Sequence, residues 1–415
     1  MKMLFLLASL GAASVPAWQA PLEIAAGRGD KGPWRQNDSR YDYVDDATVA
    51  SVPGGGHLVA WVDQKGKDVW LRRVGADGKP DAAVNVSRSP ATFSWLPRIA
   101  VDPARGGRVY LLWQEIIFSG GSHGGDILFA ASIDGGKTFA APLNLSRSQG
   151  GDGKGRLDRR TWSNGSLDLA VGADGTLFAA WTEYQGALWL ARSFDGGRTF
   201  SAPRRIAGDD ARPARAPSLA LGPARGVYLA WSVGEDPQAA IRVVASRDNG
   251  ARFAAPQSVG VGEGLLDAPQ LAFASGRLHL VYARQRAPGA PSEIRYASAA
   301  DGRFGAARTL SAGGAAYPML AADGADGLAV AWENISADGR AQSLGFVRSV
   351  DAGRNFSAPS VVPGSAAPPG GSNGSQQGLL GQKLALGSDG RIALVNSSLL
   401  PGVRSRIWLM RGTGR

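Results

Sequence analysis

The chain has no cysteine, and its 415 residues include only three histidines and four methionines. Without cysteine there is neither a disulfide framework nor a lipidated thiol anchor, so stability must come from packing. His57, His123 and His279 stand far apart, with neither HExxH nor any metal-ligand spacing. That argues against zinc hydrolysis and against histidine-based polysaccharide lyase chemistry. His57, beside GGG, reads as a turn residue and His279 in RLHLVY as strand structure, while His123 in IIFSGGSHGGD is the histidine to keep as a site candidate. No apolar stripe of period 3.6 runs for the length of a helix, so helix should be scarce. A GxSxG nucleophile elbow, which needs a strand before it and a helix after it, is missing, and the GGDGKG run leads into no helix that would cap a phosphate. The turns at Asp174, Asp323 and Asp326 lack a full calcium loop. No metal or cofactor is expected.

Long hydrophobic runs are also lacking. The only one, in MKMLFLLASLGAASVPA, is too short to span a bilayer. Its charged start and the small residues at Val15 and Ala17 predict a signal peptide over residues 1–17, cut after Ala17. The mature chain, 18–415, is expected to be extracytoplasmic, periplasmic or secreted, without a membrane span. The net charge of +10 is spread along the chain, and its densest cluster, Lys154–Arg160, is a solvated loop by composition. Dispersed charge and export together argue against a nucleic-acid partner.

What the chain has in abundance is turn formers, 58 Gly and 24 Pro, and a repeated phrase. SIDGGKTF starts at Ser132, SFDGGRTF at Ser193, SRDNGARF at Ser246 and SVDAGRNF at Ser349. Ser first, Asp third, Gly fifth and Phe eighth describe a hairpin turn. The Asp carboxylate and Ser hydroxyl accept nearby backbone N–H groups, Gly takes positive φ, and Phe starts the returning strand toward the core. Before each phrase lies an apolar strand ending in an aromatic, at Trp61, Trp113, Trp181, Trp231, Tyr282 and Trp332, with a weaker copy ending at Asn396. Segments such as LPRIAVD, APSLALG, APQLAFA and YPMLAAD precede that strand, and others such as AAPLNL follow the turn. One unit is therefore four short strands over roughly 50 residues, the size of a propeller blade.

The predicted fold is all-β, a seven-bladed β-propeller of four-stranded antiparallel blades forming a single domain. Blades one and five carry worn phrases, VGADGKP and SAADGRF. The last unit has only three strands, and APLEIAAG from Ala20 is expected to close the ring as its fourth. A six-bladed ring is the alternative. Residues 363–378 are Gly-, Pro- and Ser-rich and fall between two blades, where they predict a long surface loop.

The repeated phrase resembles the Asp box, or BNR repeat, of the sialidase superfamily, and the resemblance in architecture covers nearly the whole mature chain. It implies that Asp134, Asp195, Asp248 and Asp351 are structural, on the face away from the longer loops. It further implies a site at the opposite mouth, built from three arginines that clamp a carboxylate, a tyrosine nucleophile assisted by a glutamate, and an aspartate acid/base. The positions that answer to these are Arg98, Arg215 and Arg284, then Tyr317, Glu333 and Asp46. The family's Phe/Tyr-Arg-Ile-Pro motif is missing from the first blade; Arg215 keeps the Arg-x-Pro register in the fourth, while Arg98 follows its proline. Trp95 and Trp162, out of register with the core tryptophans, are candidate sugar-stacking rings. Glu115, Glu183 and Tyr184 complete the expected ligand-binding set.

Three readings of function follow. The first is an exported, monomeric propeller that binds a glycan or a protein surface on its loop face, with or without catalysis. The second is a sialidase-type exo-glycosidase acting on a terminal anionic sugar. An assembly or scaffold factor is the third.

Overall fold

The computed structural model describes residues 15–413 except 34, 36–37, 90–91, 103, 106, 120–121, 147–166, 184–185, 210, 234–239 and 375–380. Among these residues there is no α-helix, and the strands form seven antiparallel four-stranded blades. The first strands are Val44–Val52, Phe93–Val101, Leu167–Val171, Arg215–Leu221, Leu265–Ala274, Ala315–Ala322 and Leu384–Leu386. Residues from all seven line one central channel, a cavity of about 360 Å³.

The N-terminal segment closes the ring as predicted. Leu22–Gly27 pairs antiparallel with Arg404–Thr413 of the seventh blade, Leu22 opposite Leu409, and Ala17–Trp18 pairs with the end of the same strand. The edge that Arg404–Thr413 would otherwise expose is thereby covered. Blades six and seven are joined further by Ser372–Asn373, which bridges Ala341 on one side and Ser398–Leu399 on the other. That part of the expected surface loop is thus buried, and Asn373 is 2 % exposed. Its amide donates to the Ser365 and Gln342 carbonyls, which explains an ordered anchor inside a Gly/Pro-rich stretch.

The core is not one body but seven seams, each between neighbouring blades. At six seams the aromatic ending the second strand packs back onto the preceding blade: Trp61, Trp113, Trp181, Trp231, Tyr282 and Trp332 all lie in such clusters and are at most 4 % exposed. Truncating one of these to alanine costs about 3–5 kcal/mol on ordinary core energetics. The seventh copy, Asn396, is fully buried too, but its neighbours are polar. His57 is not in the turn expected of it; it lies on the second strand of blade one and is 2 % exposed, because that strand begins at Gly56. His279 is held in its strand by the Tyr296 hydroxyl, 2.8 Å from Nδ1.

The four repeated turns have one geometry. In the first, Ser132 Oγ donates to Asp134 Oδ1 and accepts the Gly136 N–H, while Asp134 accepts the Lys137 and Thr138 N–H groups and the Thr138 hydroxyl. Asp195, Asp248 and Asp351 repeat the pattern. Their fourth and fifth residues all have positive φ, from 56° at Ala352 to 89° at Gly136. At Gly136, Gly197 and Gly353 a Cβ would run into the preceding blade; at Gly197 it would sit 2.6 Å from the Phe129 ring. Three of these turns also bond the turn between the first two strands of their own blade: the Gly135, Asn249 and Ala352 N–H groups donate to the Gly107, Arg225 and Asp326 carbonyls. That places them on one face, together with those turns.

Candidate functional site

At the opposite mouth, five first strands break register at one height, at Asp45/Thr48, Trp95/Arg98, Arg215/Ser218, Asp267/Gln270 and Ala316/Met319. Each bulge holds one non-glycine residue in the left-handed region: Asp46, Leu96, Ala216, Ala268 and Tyr317, with φ between 46° and 56°. Proline follows in four of the five, at 97, 217, 269 and 318. Having no N–H, proline loses nothing where the ladder is already interrupted, so the X-Pro step makes the bulge a natural place to bend the strand. A tyrosine at φ 52° is strained, and such strain concentrates where a side chain must be aimed.

Side chains at this mouth also stitch the blades together. Ser397 donates to Asp45 at 2.9 Å and Ser232 to Asp267 at 2.8 Å, in each case the residue after the seam position reaching the acid before the next bulge. Asp46 accepts the Leu96 N–H at 2.9 Å, Asp168 the Leu219 N–H at 2.7 Å, and the Gln382 amide oxygen the Ile99 N–H at 3.1 Å. Arg98 is 6 % exposed and faces both Asp46 and Asp168. Burial presses its guanidinium pKa down and those carboxylates oppose the shift. Burial likewise raises the Asp168 carboxyl to about 6.

Tyr317 lies against Ala216 and Ala268, the bulge residues of blades four and five. Burial raises its phenol, and the charges of Asp267 and Glu333 raise it further, so it stays protonated at neutral pH. Glu333, fully buried, sits at the seam between blades six and seven, where its Oε1 accepts Lys383 Nζ at 2.6 Å and Asn396 Nδ2 at 3.0 Å. Its Oε2 is buried without a hydrogen bond among the described residues. The seam that lacks its aromatic therefore holds a polar triad instead, with Asn396 in the aromatic's place.

The other expected site residues are dispersed. Arg215 is 7 % exposed just before its bulge. Arg284 turns away from the channel into a cluster between blades four and five, where it pairs with Glu293 and with Glu263. Glu115 is buried behind the mouth, accepting Thr92 Oγ1 and Trp113 Nε1, and burial raises its carboxyl. Glu183 is half-buried at the end of a second strand. Trp95, expected to offer an open indole, is instead 4 % exposed, because Phe93, Leu96 and Tyr41 form an apolar cluster around it. Trp162, Tyr184 and the His123 side chain lie outside the described residues. Asp168 and the Lys383 bond to Glu333 went unpredicted; the one signal for Asp168 is an acid inside the apolar strand LDLAV.

Among the described residues no group of three His, Asp or Glu side chains is placed to hold a metal ion, and no helix is long and apolar enough to cross a membrane. No protein-family model and no curated protein matches the chain. Solved structures do. An ulvan lyase bound to -[GlcA(1-4)Rha3S]- is similar with a TM-score of 0.57 at 12 % identity, over 90 % of this chain and 97 % of that one. The BP39L lectin from Burkholderia pseudomallei gives 0.54 at 14 % identity, over 75 % and 82 %. A Hadza microbial sialidase gives 0.50 at 13 % identity over 70 % of this chain, which spans only 63 % of the sialidase's length. With seven blades around one channel and this likeness, the chain has the fold of a sialidase-like β-propeller.

Proposed function

We propose that the protein binds a glycan at the mouth opposite the Asp boxes and does not cleave it. The observation that carries this reading is the state of Glu333. A tyrosine nucleophile needs a base beside it, but the Lys383 ammonium neutralises this carboxylate at 2.6 Å. The Tyr317 phenol is raised, the opposite of activation, and Arg284 spends its charge on Glu263 and Glu293. What remains suits recognition. Tyr317 presents a half-buried aromatic ring near the exposed Asp267 carboxylate, and the same mouth holds Arg98 and Arg215, both buried. Hydroxyls and an apolar sugar face match such a surface. The lectin and the ulvan lyase among the similar folds favour a glycan over a protein ligand, and the lyase's bound sugar carries both a carboxylate and a sulfate. Residues 1–17 would be removed on export, so the ligand would be met outside the cytoplasm.

The test is a glycan array followed by calorimetry on the purified protein, with a fluorogenic sialoside assayed alongside. Saturable binding weakened tenfold or more by Tyr317→Ala, with no hydrolysis, is the expected result. Hydrolysis abolished in both Tyr317→Phe and Arg215→Ala would replace this reading with the exo-glycosidase.

A further inference from the structure

On the opposite face, at the seam between blades five and six, lies a second cavity of about 350 Å³. Arg277, Arg308 and Arg354 line it with Tyr296 and Ser298, and no lining residue is acidic. Among the described residues none of the three guanidinium groups forms an ion pair. We propose that this pocket is an oxyanion-binding site, distinct from the channel mouth, taking a sulfate, phosphate or carboxylate group.

Its walls are built, not incidental. The Arg308 guanidinium packs against both the Tyr296 and Phe356 rings, 5.0 Å from each centroid, and the two rings meet edge to face. Its Nη1 donates to the Arg354 carbonyl at 2.6 Å and its Nη2 to the Gly353 carbonyl, so the fourth Asp box holds this cation in place. Arg277 Nη2 donates to Ser298 Oγ at 3.1 Å, which leaves most of its fork open. Gly353 forms part of the lining, and any side chain there would overlap the Tyr296 hydroxyl. The nearest box carboxylate, Asp351, accepts the Ser349 hydroxyl and the Asn355 backbone and side-chain amides, and it is not among the lining residues. Three like charges around one cavity repel one another. An oxyanion relieves that repulsion and accepts fork-shaped donors in the geometry arginine prefers.

The experiment is isothermal titration of the full protein with sodium sulfate, phosphate and acetate at constant ionic strength, against a chloride blank. At least one anion should bind saturably with a dissociation constant below roughly 10 mM. Arg277→Gln, which leaves the Arg308 packing untouched, should weaken it fivefold or more, and Arg277→Gln/Arg354→Gln should abolish it. Tyr317→Ala should leave it unchanged, so failure of the channel-mouth reading and failure of this one are separable. Which anion binds identifies the group. No saturable heat with any of the three, or equal affinity in Arg277→Gln with unchanged melting in chloride, overturns the proposal.

Discussion

Replacing Lys383 with methionine should be the most damaging single change at the channel mouth. The side chain is 2 % exposed and its ammonium lies 2.6 Å from Glu333, which is itself fully buried. Removing one partner of a buried ion pair leaves an uncompensated charge and costs about 3–5 kcal/mol. Unfolding entropy of about 2.1 cal/mol/K per residue, over a chain of 415 residues, gives roughly 0.9 kcal/mol per degree, so the melting temperature should fall by about 3–6 °C. The charge-free pair Glu333→Gln/Lys383→Met keeps an oxygen for Asn396 and removes both charges. It should recover all but about 1 kcal/mol of the loss. Differential scanning calorimetry of the three proteins at two salt concentrations is the assay, since a buried pair is screened little by salt. A drop under about 1 °C in Lys383→Met, or a double variant no more stable than the single, would refute the triad as a buried charge pair.

Three further outcomes follow from the geometry. Because burial raises Asp168 to about 6, the fold keeps this proton where the unfolded chain has lost it; the contribution is full below pH 4 and disappears as pH rises through 6. With Asp168 half-buried on the channel wall, the contribution is roughly 2 kcal/mol, and Asp168→Asn should flatten the melting temperature between pH 4 and 6 whatever its overall cost. Asp134 and Asp195 are held at about 2, first by their threonine hydroxyls. Their contribution is present above pH 4 and lost toward pH 2, so Asp134→Asn/Asp195→Asn should melt less steeply with acid in that window. Gly353→Ala, meeting the Tyr296 hydroxyl at φ 76°, should destabilise by about 2 kcal/mol or more, whereas Gly324→Ala, with similar φ and open space, should cost about 1; equal urea midpoints for the two would contradict the packing account.

The blades were legible because their signals are local and repeated. Ser132 to Phe139 contains its own hydrogen-bond partners, so its turn follows from the phrase without reference to the rest of the chain. The aromatic at the end of each second strand announced a shared packing position for the same reason. The X-Pro pairs at Leu96, Ala216, Ala268 and Tyr317 were visible as well, yet a proline in a strand does not say which residue takes positive φ. The exposed indole expected at Trp95 failed because Tyr41, more than 50 residues upstream, joins Phe93 of its own strand in covering it, and that approach is set only by the folded ring.

Repetition thus determined the blade, the turn and the closure by Leu22–Gly27, each of which depends on short-range geometry or on one missing strand. Whether a polar residue at the mouth meets ligand or neighbour was decided by the ring. Glu333, Lys383 and Asn396 are up to 63 positions apart, and Asp45 and Ser397 are 352 apart. Charge pairing across a seam depends on distances of a few ångströms that only the closed ring sets, and no local pattern encodes them.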